Sequence, residues 1–147
     1  MHKTLGCLLT WTTYGTWLQG DENGYVKDGI TLKANTPLAN ANKKQLRKDP
    51  VILTPKKRKI IENAIRKKAV EIGQQIYAIA VCLDHVHIVV GYTTKDIGLI
   101  VRYYKVAGQR AIQDDGLTGR LWTKGFDKRF CFDKLALHRR INYVNKH

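Results

Sequence analysis

The sequence predicts an α+β domain of the ferredoxin-like kind, in which a split βαβ sheet is followed by a terminal helix. Strand-like and helix-like segments follow each other in the order strand, helix, strand, strand, helix, strand, helix. The two central strands are joined by a short turn and form a hairpin, whereas the connections through helices are parallel crossovers. The 147 residues suit a single domain, residues 1–147, whose core is large enough to need no disulfide.

The first third of the chain contains one strand and a long polar insert. Residues 5–14 are rich in β-branched, aromatic and apolar side chains, which favours a strand. The insert at about 19–55 is expected to contain a short helix near 38–48, and its basic residues suit either DNA contact or a solvated loop. Thr54 and Pro55 then predict the start of an amphipathic helix, because threonine caps free amides and proline is tolerated at the first helical position.

The remaining elements follow from turn and capping residues. A hairpin is predicted around Asp84, and a second helix is expected to begin at residues 93–94, where two threonines are available as caps. Residues 120–126 and 128–132 have the composition of two short strands. Asp133 is expected to cap a final helix that runs to the end of the chain.

Two histidines open the second strand of the hairpin. Residues i and i+2 of a strand project from the same face, so His85 and His87 point one way while Val86, Ile88 and Val90 point the other. The spacing therefore predicts a paired imidazole site. The alternative is that both histidines are ordinary strand residues with satisfied hydrogen bonds.

The last helix has one apolar stripe and one stripe of chemically active residues. Leu137, Ile141 and Val144 recur at helical spacing and are expected to pack on the sheet. Tyr143 and His147 lie one turn apart on a neighbouring stripe. If that stripe faces the histidine strand, a phenol and a third imidazole approach His85 and His87. Otherwise Tyr143 is an interfacial aromatic residue and His147 a frayed terminus.

Composition narrows the class of partner and the compartment. The formal charge is +14, from 26 Lys and Arg against 12 Asp and Glu, which indicates a nucleic acid and, less strongly, an anionic membrane. Three scattered cysteines fit a reducing cytosol rather than a disulfide framework or a zinc site. No apolar run approaches the ~20 residues that would cross a bilayer, so we expect no membrane insertion.

Four stretches together resemble a known family. Residues 85–87 read His-Val-His, and they combine with residues 9–18, 121–126 and 141–145 in an order similar to that of the HUH endonucleases. The likeness is to the single-tyrosine, IS200-like transposases, in particular the branch associated with repetitive extragenic palindromes. It implies an enzyme of transposition and DNA recombination, a prokaryotic, cytoplasmic and nucleoid-associated monomer or homodimer that cuts and joins single-stranded or hairpin DNA.

The same resemblance implies the chemistry of individual residues. Tyr143 would be the nucleophile that forms a 5′-phosphotyrosine intermediate, although Tyr103 and Tyr104 also lie on a basic helix. His85 and His87 would be metal ligands for Mg²⁺ or Mn²⁺, and manganese accepts imidazole more readily. His147 stands where the family commonly has glutamine, glutamate or asparagine, so we expect it to be a third ligand that is ordered only with metal and DNA.

Basic and aromatic residues near these positions are candidates for DNA contact. Those expected to bind phosphates or stack on bases are Arg139, Arg140, Lys124, Lys128, Arg129 and Trp122. One rival interpretation is a non-catalytic ferredoxin-like RNA-binding module, which the absence of a Gly-Phe-x-Phe pattern disfavours. A replication-initiator or relaxase HUH nuclease is another, whereas a two-histidine phosphodiesterase would need a pair of His-x-Thr/Ser motifs, which the sequence does not have.

Overall fold

The computed structural model describes residues 3–15 and 50–147, which form one four-stranded sheet and three helices. The strands are β1 Gly6–Thr12, β2 Ile76–Val81, β3 His85–Gly91 and β4 Asp127–Cys131, and the helices are α1 Pro55–Glu71, α2 Ile97–Asp114 and α3 Lys134–Asn145. The sheet order is β2-β3-β1-β4 with antiparallel neighbours throughout. This arrangement confirms the predicted split βαβ topology. The predicted insert at about 19–55 lies outside the described residues as far as residue 49. The short helix expected near 38–48 lies outside them as well.

The sheet separates two apolar cores. On one face, β1 and β3 contribute alternate residues such as Leu9, Trp11 and Ile88 to a large core that α1 and α2 cover. On the other face, Leu8 and Val89 belong to a smaller core that α3 covers. This division follows from the two-residue period of a strand, which sends successive side chains to opposite faces. None of the three described helices combines the length and hydropathy that crossing a bilayer requires.

The helices begin at the capping residues that the sequence predicts, with one exception. Thr54 accepts a hydrogen bond from the amide of Lys57 and caps α1, with Pro55 at its first position, as predicted. The prediction that residues 93–94 cap α2 is wrong. Thr93 instead accepts a bond from the Lys95 amide and forms a turn ahead of the helix, and the carboxylate of Asp96 caps α2 through the Leu99 amide.

Residues 120–126 were expected to form a strand, and this prediction is also wrong. Only one isolated bridge is formed there, between Trp122 and Thr13. Gly119 and Gly125 flank the bridge with φ angles of +85° and +92°, which interrupt an extended conformation. The segment therefore runs as an irregular connection along the end of β1.

Helix α3 is placed on the sheet by its apolar stripe. Asp133 caps it by accepting a hydrogen bond from the Ala136 amide at 2.7 Å, as predicted. Leu137, Ile141 and Val144 pack into the smaller core, and Val144 is fully buried. The small side chains of β2 on this face leave room for the helix to approach. This packing fixes the rotation of α3 and hence the direction of the neighbouring stripe.

A candidate metal and nucleophile site on the sheet

The two histidines of β3 lie on the sheet face that α3 covers. In the β1–β3 register, His87 is opposite Thr10 and His85 is opposite Thr12. Val86, Ile88 and Val90 are buried in the larger core on the other face. The ring centroids of His85 and His87 are 4.7 Å apart, so the i, i+2 spacing produces the paired site that the sequence predicts.

The last turn of α3 brings a third imidazole and a phenol to this pair. The centroid of the His147 ring lies 4.6 Å from that of His87 and 6.2 Å from that of His85. The Tyr143 ring is 5.3 Å from His87 and 4.6 Å from His147. Tyr143 is 46% exposed, so its hydroxyl is not sealed in the core. The stripe of α3 that carries Tyr143 and His147 therefore faces the histidine strand, which the sequence alone leaves open.

Each imidazole uses its Nδ1 atom in a hydrogen bond within the protein. His85 Nδ1 donates to the carboxylate of Asp84 at 2.8 Å, and His147 Nδ1 donates to the Tyr143 carbonyl at 2.7 Å. His87 Nδ1 is 2.9 Å from the Thr10 hydroxyl. Carbonyl and carboxylate oxygens only accept, so in the neutral form of His85 and of His147 the proton is on Nδ1. Each neutral ring can then offer the lone pair of Nε2 to a metal.

The donor set fits a divalent metal. The candidate ligand atoms of His85, His87 and His147 all lie within 4.8 Å of one another. Two nitrogens that bind one ion at about 2.1 Å are at most about 4.2 Å apart, so a small side-chain adjustment suffices. Burial, with the charges of His85 and His147, lowers the pKa of His87 to about 4. That ring is therefore neutral at pH 7, as metal binding requires.

His147 is held more firmly than a terminal residue is expected to be. Its amide donates to the Val144 carbonyl at 3.1 Å, in addition to the side-chain bond to Tyr143. Both bonds belong to the last turn of α3, whose carbonyl groups otherwise have no partner within the helix. The expectation that His147 becomes ordered only with metal and DNA stays a prediction, because its side chain is exposed.

The candidate DNA-contacting residues do not all share one surface. Arg129 lies on the α3 face of β4, opposite Leu8, and bonds to Asp127 at 3.1 Å. Lys128 points to the other face, opposite Leu9. Arg139 and Arg140 are neighbours in the middle of α3, and Lys124 lines a cavity beside α2. Of these residues, only Arg129, Arg139 and Arg140 are on the side of the sheet that carries the histidines.

Trp122 does not have the exposed ring that was expected of a base-stacking residue. It is 4% exposed and packs edge to face against Trp11, with ring centroids 5.9 Å apart. Its indole Nε1 donates to the Lys105 carbonyl at 2.9 Å. Trp122 is therefore part of the larger core, and its contact with DNA stays a prediction.

Two residues of the candidate site, Thr10 and Asp84, were not predicted from the sequence as partners of the histidines. Thr10 faces His87 only because β1 and β3 pair in one particular register, which the sequence does not specify. Asp84 was predicted only as a turn residue, and its bond to His85 was not foreseen. An acidic residue next to a His-x-His strand is a signal for a group that accepts a hydrogen bond from imidazole and orients the ring.

Comparison with known proteins identifies the family. The model of the family described as "Transposase IS200 like" matches residues 44–147, which is more than two thirds of the chain. The chain belongs to the IS200-like transposase family. Membership of this family supports a transposase-type function, that of an enzyme that processes DNA. It also confirms the family resemblance seen in the sequence. No match was found among proteins of curated function.

Two solved structures share the fold. A REP-associated tyrosine transposase bound to a REP hairpin has a TM-score of 0.56 and 12% identity, with 98% of this chain and 67% of that chain covered. A "putative transposase" from Deinococcus radiodurans R1 has a TM-score of 0.50 and 15% identity, with 99% and 92% covered. At these identities the likeness establishes the α+β architecture alone.

Proposed function

We propose that the protein is a metal-dependent, single-tyrosine nuclease and strand transferase that acts on single-stranded DNA, at hairpins. The observation that carries this proposal is the convergence of Tyr143 and His147 on His85 and His87. The two pairs come from a strand and a helix, and more than 50 positions separate them in the chain. Hairpin DNA is bound by a structural relative of the same fold, which supports it as the substrate class.

Tyr143 is proposed to attack the scissile phosphate. Its oxygen forms a bond to phosphorus, the bond between phosphorus and the 3′ oxygen breaks, and the phenolic proton is released while the 3′ oxygen takes up a proton. The products are a 5′-phosphotyrosyl link and a free 3′-hydroxyl. A bound divalent metal would supply charge neutralisation and polarisation at the phosphate. Rejoining is the reverse reaction, and the link keeps the energy of the phosphodiester, so no ATP is needed.

The three imidazoles are proposed to hold that metal through Nε2. Thr10, Asp84 and the Tyr143 carbonyl fix the ring orientations, which is the usual task of groups that bond to metal-binding histidines. A set made of imidazoles favours Mn²⁺ over Mg²⁺. Arg129, Arg139 and Arg140 are proposed phosphate contacts around the nucleophile.

One subunit is proposed to be sufficient for the chemistry, because all four residues belong to the same chain. This holds for a monomer and for a homodimer in which each subunit uses its own α3. The proposed setting is the cytoplasm of a prokaryote, at the nucleoid.

Cleavage polarity tests the proposal. A hairpin pool labelled at the 3′ end and a matched pool labelled at the 5′ end are incubated with the protein and Mn²⁺, then separated on a denaturing gel. We expect only the 3′ label to move with the protein, and the released 5′-labelled fragment to be extended by a polymerase. His85→Ala and His87→Ala should each abolish both signals while the fold remains. Cleavage that survives a chelator or either variant would refute the metal site.

A further inference from the structure

A basic cavity of about 680 Å³ lies beside α2. One wall is a face of the helix that includes Arg102, Val106 and Arg110, and the other wall is the segment 120–125. Because α2 covers the larger core and α3 the smaller one, the sheet separates this cavity from the histidine cluster. Its volume falls within the ~300–1,000 Å³ of pockets that hold organic ligands.

The cavity wall is held in place by hydrogen bonds rather than by a strand. Lys105 Nζ donates to the carbonyls of Thr123 at 3.0 Å and Gly125 at 2.7 Å, and Trp122 Nε1 donates back to the Lys105 carbonyl. Arg120 Nε donates to the Trp122 carbonyl at 2.8 Å, and its guanidinium lies over the Tyr14 ring. The irregular segment is thus fixed to α2 along its length, so the cavity is a preformed feature.

The lining carries a concentrated positive charge. Its basic residues are Arg102, Lys105, Arg110, Arg120 and Lys124, and it contains no aspartate or glutamate. Within residues 3–15 and 50–147, none of the five forms an ion pair. Burial and then the charge of Arg120 lower the pKa of Lys105 to about 8. Uncompensated cations around one concave space attract an extended anion.

The other lining groups indicate what kind of anion fits. Gln109 and Gln113 present amides, which can donate and accept bonds to a base edge, and Val106 presents an apolar surface that is 40% exposed. A ligand with several phosphates, polar edges and an apolar face matches this lining, and a concave site reached between a helix and a loop suits one strand rather than a duplex. We propose that the cavity is a second DNA site, which binds an unpaired segment of the substrate strand.

The cavity and the histidine cluster are connected through the end of β1. The amide of Thr123 in the cavity wall donates to the carbonyl of Thr12, and Thr12 is opposite His85 in the sheet. The cavity wall and the histidine strand are thus both in contact with the end of β1. The inference takes its ligand from the proposed function, but it concerns residues that do not contact the nucleophile or the metal ligands.

Paired charge-removal variants test the second site. Arg102→Gln/Arg110→Gln removes two cavity charges, and Lys59→Gln/Lys67→Gln removes two exposed charges from α1 as a matched control. The assay is the fluorescence anisotropy of a labelled 20-nucleotide hairpin with a single-stranded extension, measured with full-length protein over a range of salt concentrations. We expect the cavity variant to bind at least tenfold more weakly and to lower the slope of log affinity against log salt by about 1.4, since each contacted phosphate of a single strand contributes ~0.7.

A steric variant addresses the same space without changing charge. Val106→Trp should occupy part of the cavity beside the α2 wall and weaken binding at least fivefold, while Val106→Ala should leave the affinity within twofold of that of the original protein. Equal salt slopes for the cavity and control pairs, or unchanged binding by Val106→Trp, would overturn the proposal.

Competitors identify the source of the bound phosphates. A single-stranded oligonucleotide without a hairpin should compete at the cavity in a Val106-dependent manner, whereas a nucleoside triphosphate alone should not. Equal competition by the triphosphate would assign the cavity to a free nucleotide, and equal competition by polyglutamate would assign it to acidic proteins. Either result would overturn the second DNA site. Failure of Tyr143→Phe to abolish the covalent adduct would contradict the proposed function but not this site.

Discussion

The hydrogen bond between Thr10 and His87 provides a stringent test of the metal site. Thr10→Val keeps the shape and β-branching of the side chain but removes the hydroxyl that lies 2.9 Å from His87 Nδ1. Both residues are 7% exposed, so water has little access to replace the lost partner. Loss of a group that orients a metal-binding histidine typically lowers metal affinity by ~10–100-fold, which is about 1.4–2.7 kcal/mol.

The variant should also unfold more readily in the absence of metal. An unsatisfied nitrogen in a buried site costs ~1–3 kcal/mol, so the free energy of unfolding should fall by an amount in this range. Mn²⁺ affinity is measured by titration calorimetry and stability by urea unfolding, both on the protein without DNA. The two quantities separate a loss of ring orientation from a loss of fold.

Thr10→Ser is the matched control because it retains the hydroxyl. It should bind Mn²⁺ within a few-fold of the original protein, although serine is a poorer strand residue and costs up to ~1 kcal/mol in stability. If Thr10→Val binds Mn²⁺ as tightly as the original protein, His87 is not a ligand that Thr10 orients, and the reasoning fails.

Further predictions concern the end of α3, the salt dependence, the glycine at the start of β1 and the thiols. His147→Ala should weaken Mn²⁺ binding and slow cleavage without abolishing it, and His147→Gln should restore activity with Mg²⁺; unchanged rates would place the third ligand elsewhere. DNA binding should fall steeply with salt, and a flat response in anisotropy would contradict nucleic-acid binding. Gly6→Ala should cost ~1–3 kcal/mol in urea unfolding, because the new Cβ would lie 2.7 Å from the Val90 carbonyl oxygen and 2.9 Å from a Leu137 methyl carbon; unchanged stability would contradict the close packing of β1 against β3 and α3. Cys82 should react first with a thiol reagent at pH 8, because burial raises the pKa of Cys7 to about 11 and encloses it; faster reaction at Cys7 would contradict the packing of β1.

Local sequence patterns were sufficient for the fold because each element carries its own signal. The alternation of the hairpin predicted which residues of β3 share a face, and the apolar stripe of α3 predicted its packing face. The errors arose where two local signals compete. Thr93 and Asp96 are both competent caps, and only the backbone path decides between them. Residues 120–126 have strand composition but are flanked by glycines with positive φ.

The grouping of the histidines was predictable from the sequence, but the contacts that support the candidate site were not. His85 and His87 share a face by strand geometry alone, whereas Thr10 reaches His87 across a pairing of residues 77 positions apart. The burial of Trp122 depends likewise on contact with Trp11 from the other end of the chain. Such contacts depend on register and on tertiary packing, which a single sequence does not encode in any local pattern.

The residue that forms the covalent link to DNA can be identified by peptide mapping. The protein is incubated with Mn²⁺ and a hairpin pool, the DNA is digested with a nuclease, and the peptides are sequenced by mass spectrometry to find the residue that retains a nucleotide. We predict that the modified residue is Tyr143 and that Tyr143→Phe keeps DNA binding but yields no modified peptide, whereas Tyr103→Phe yields the same peptide as the original protein. A nucleotide on Tyr103, or any adduct that persists in Tyr143→Phe, would contradict the assignment of the nucleophile.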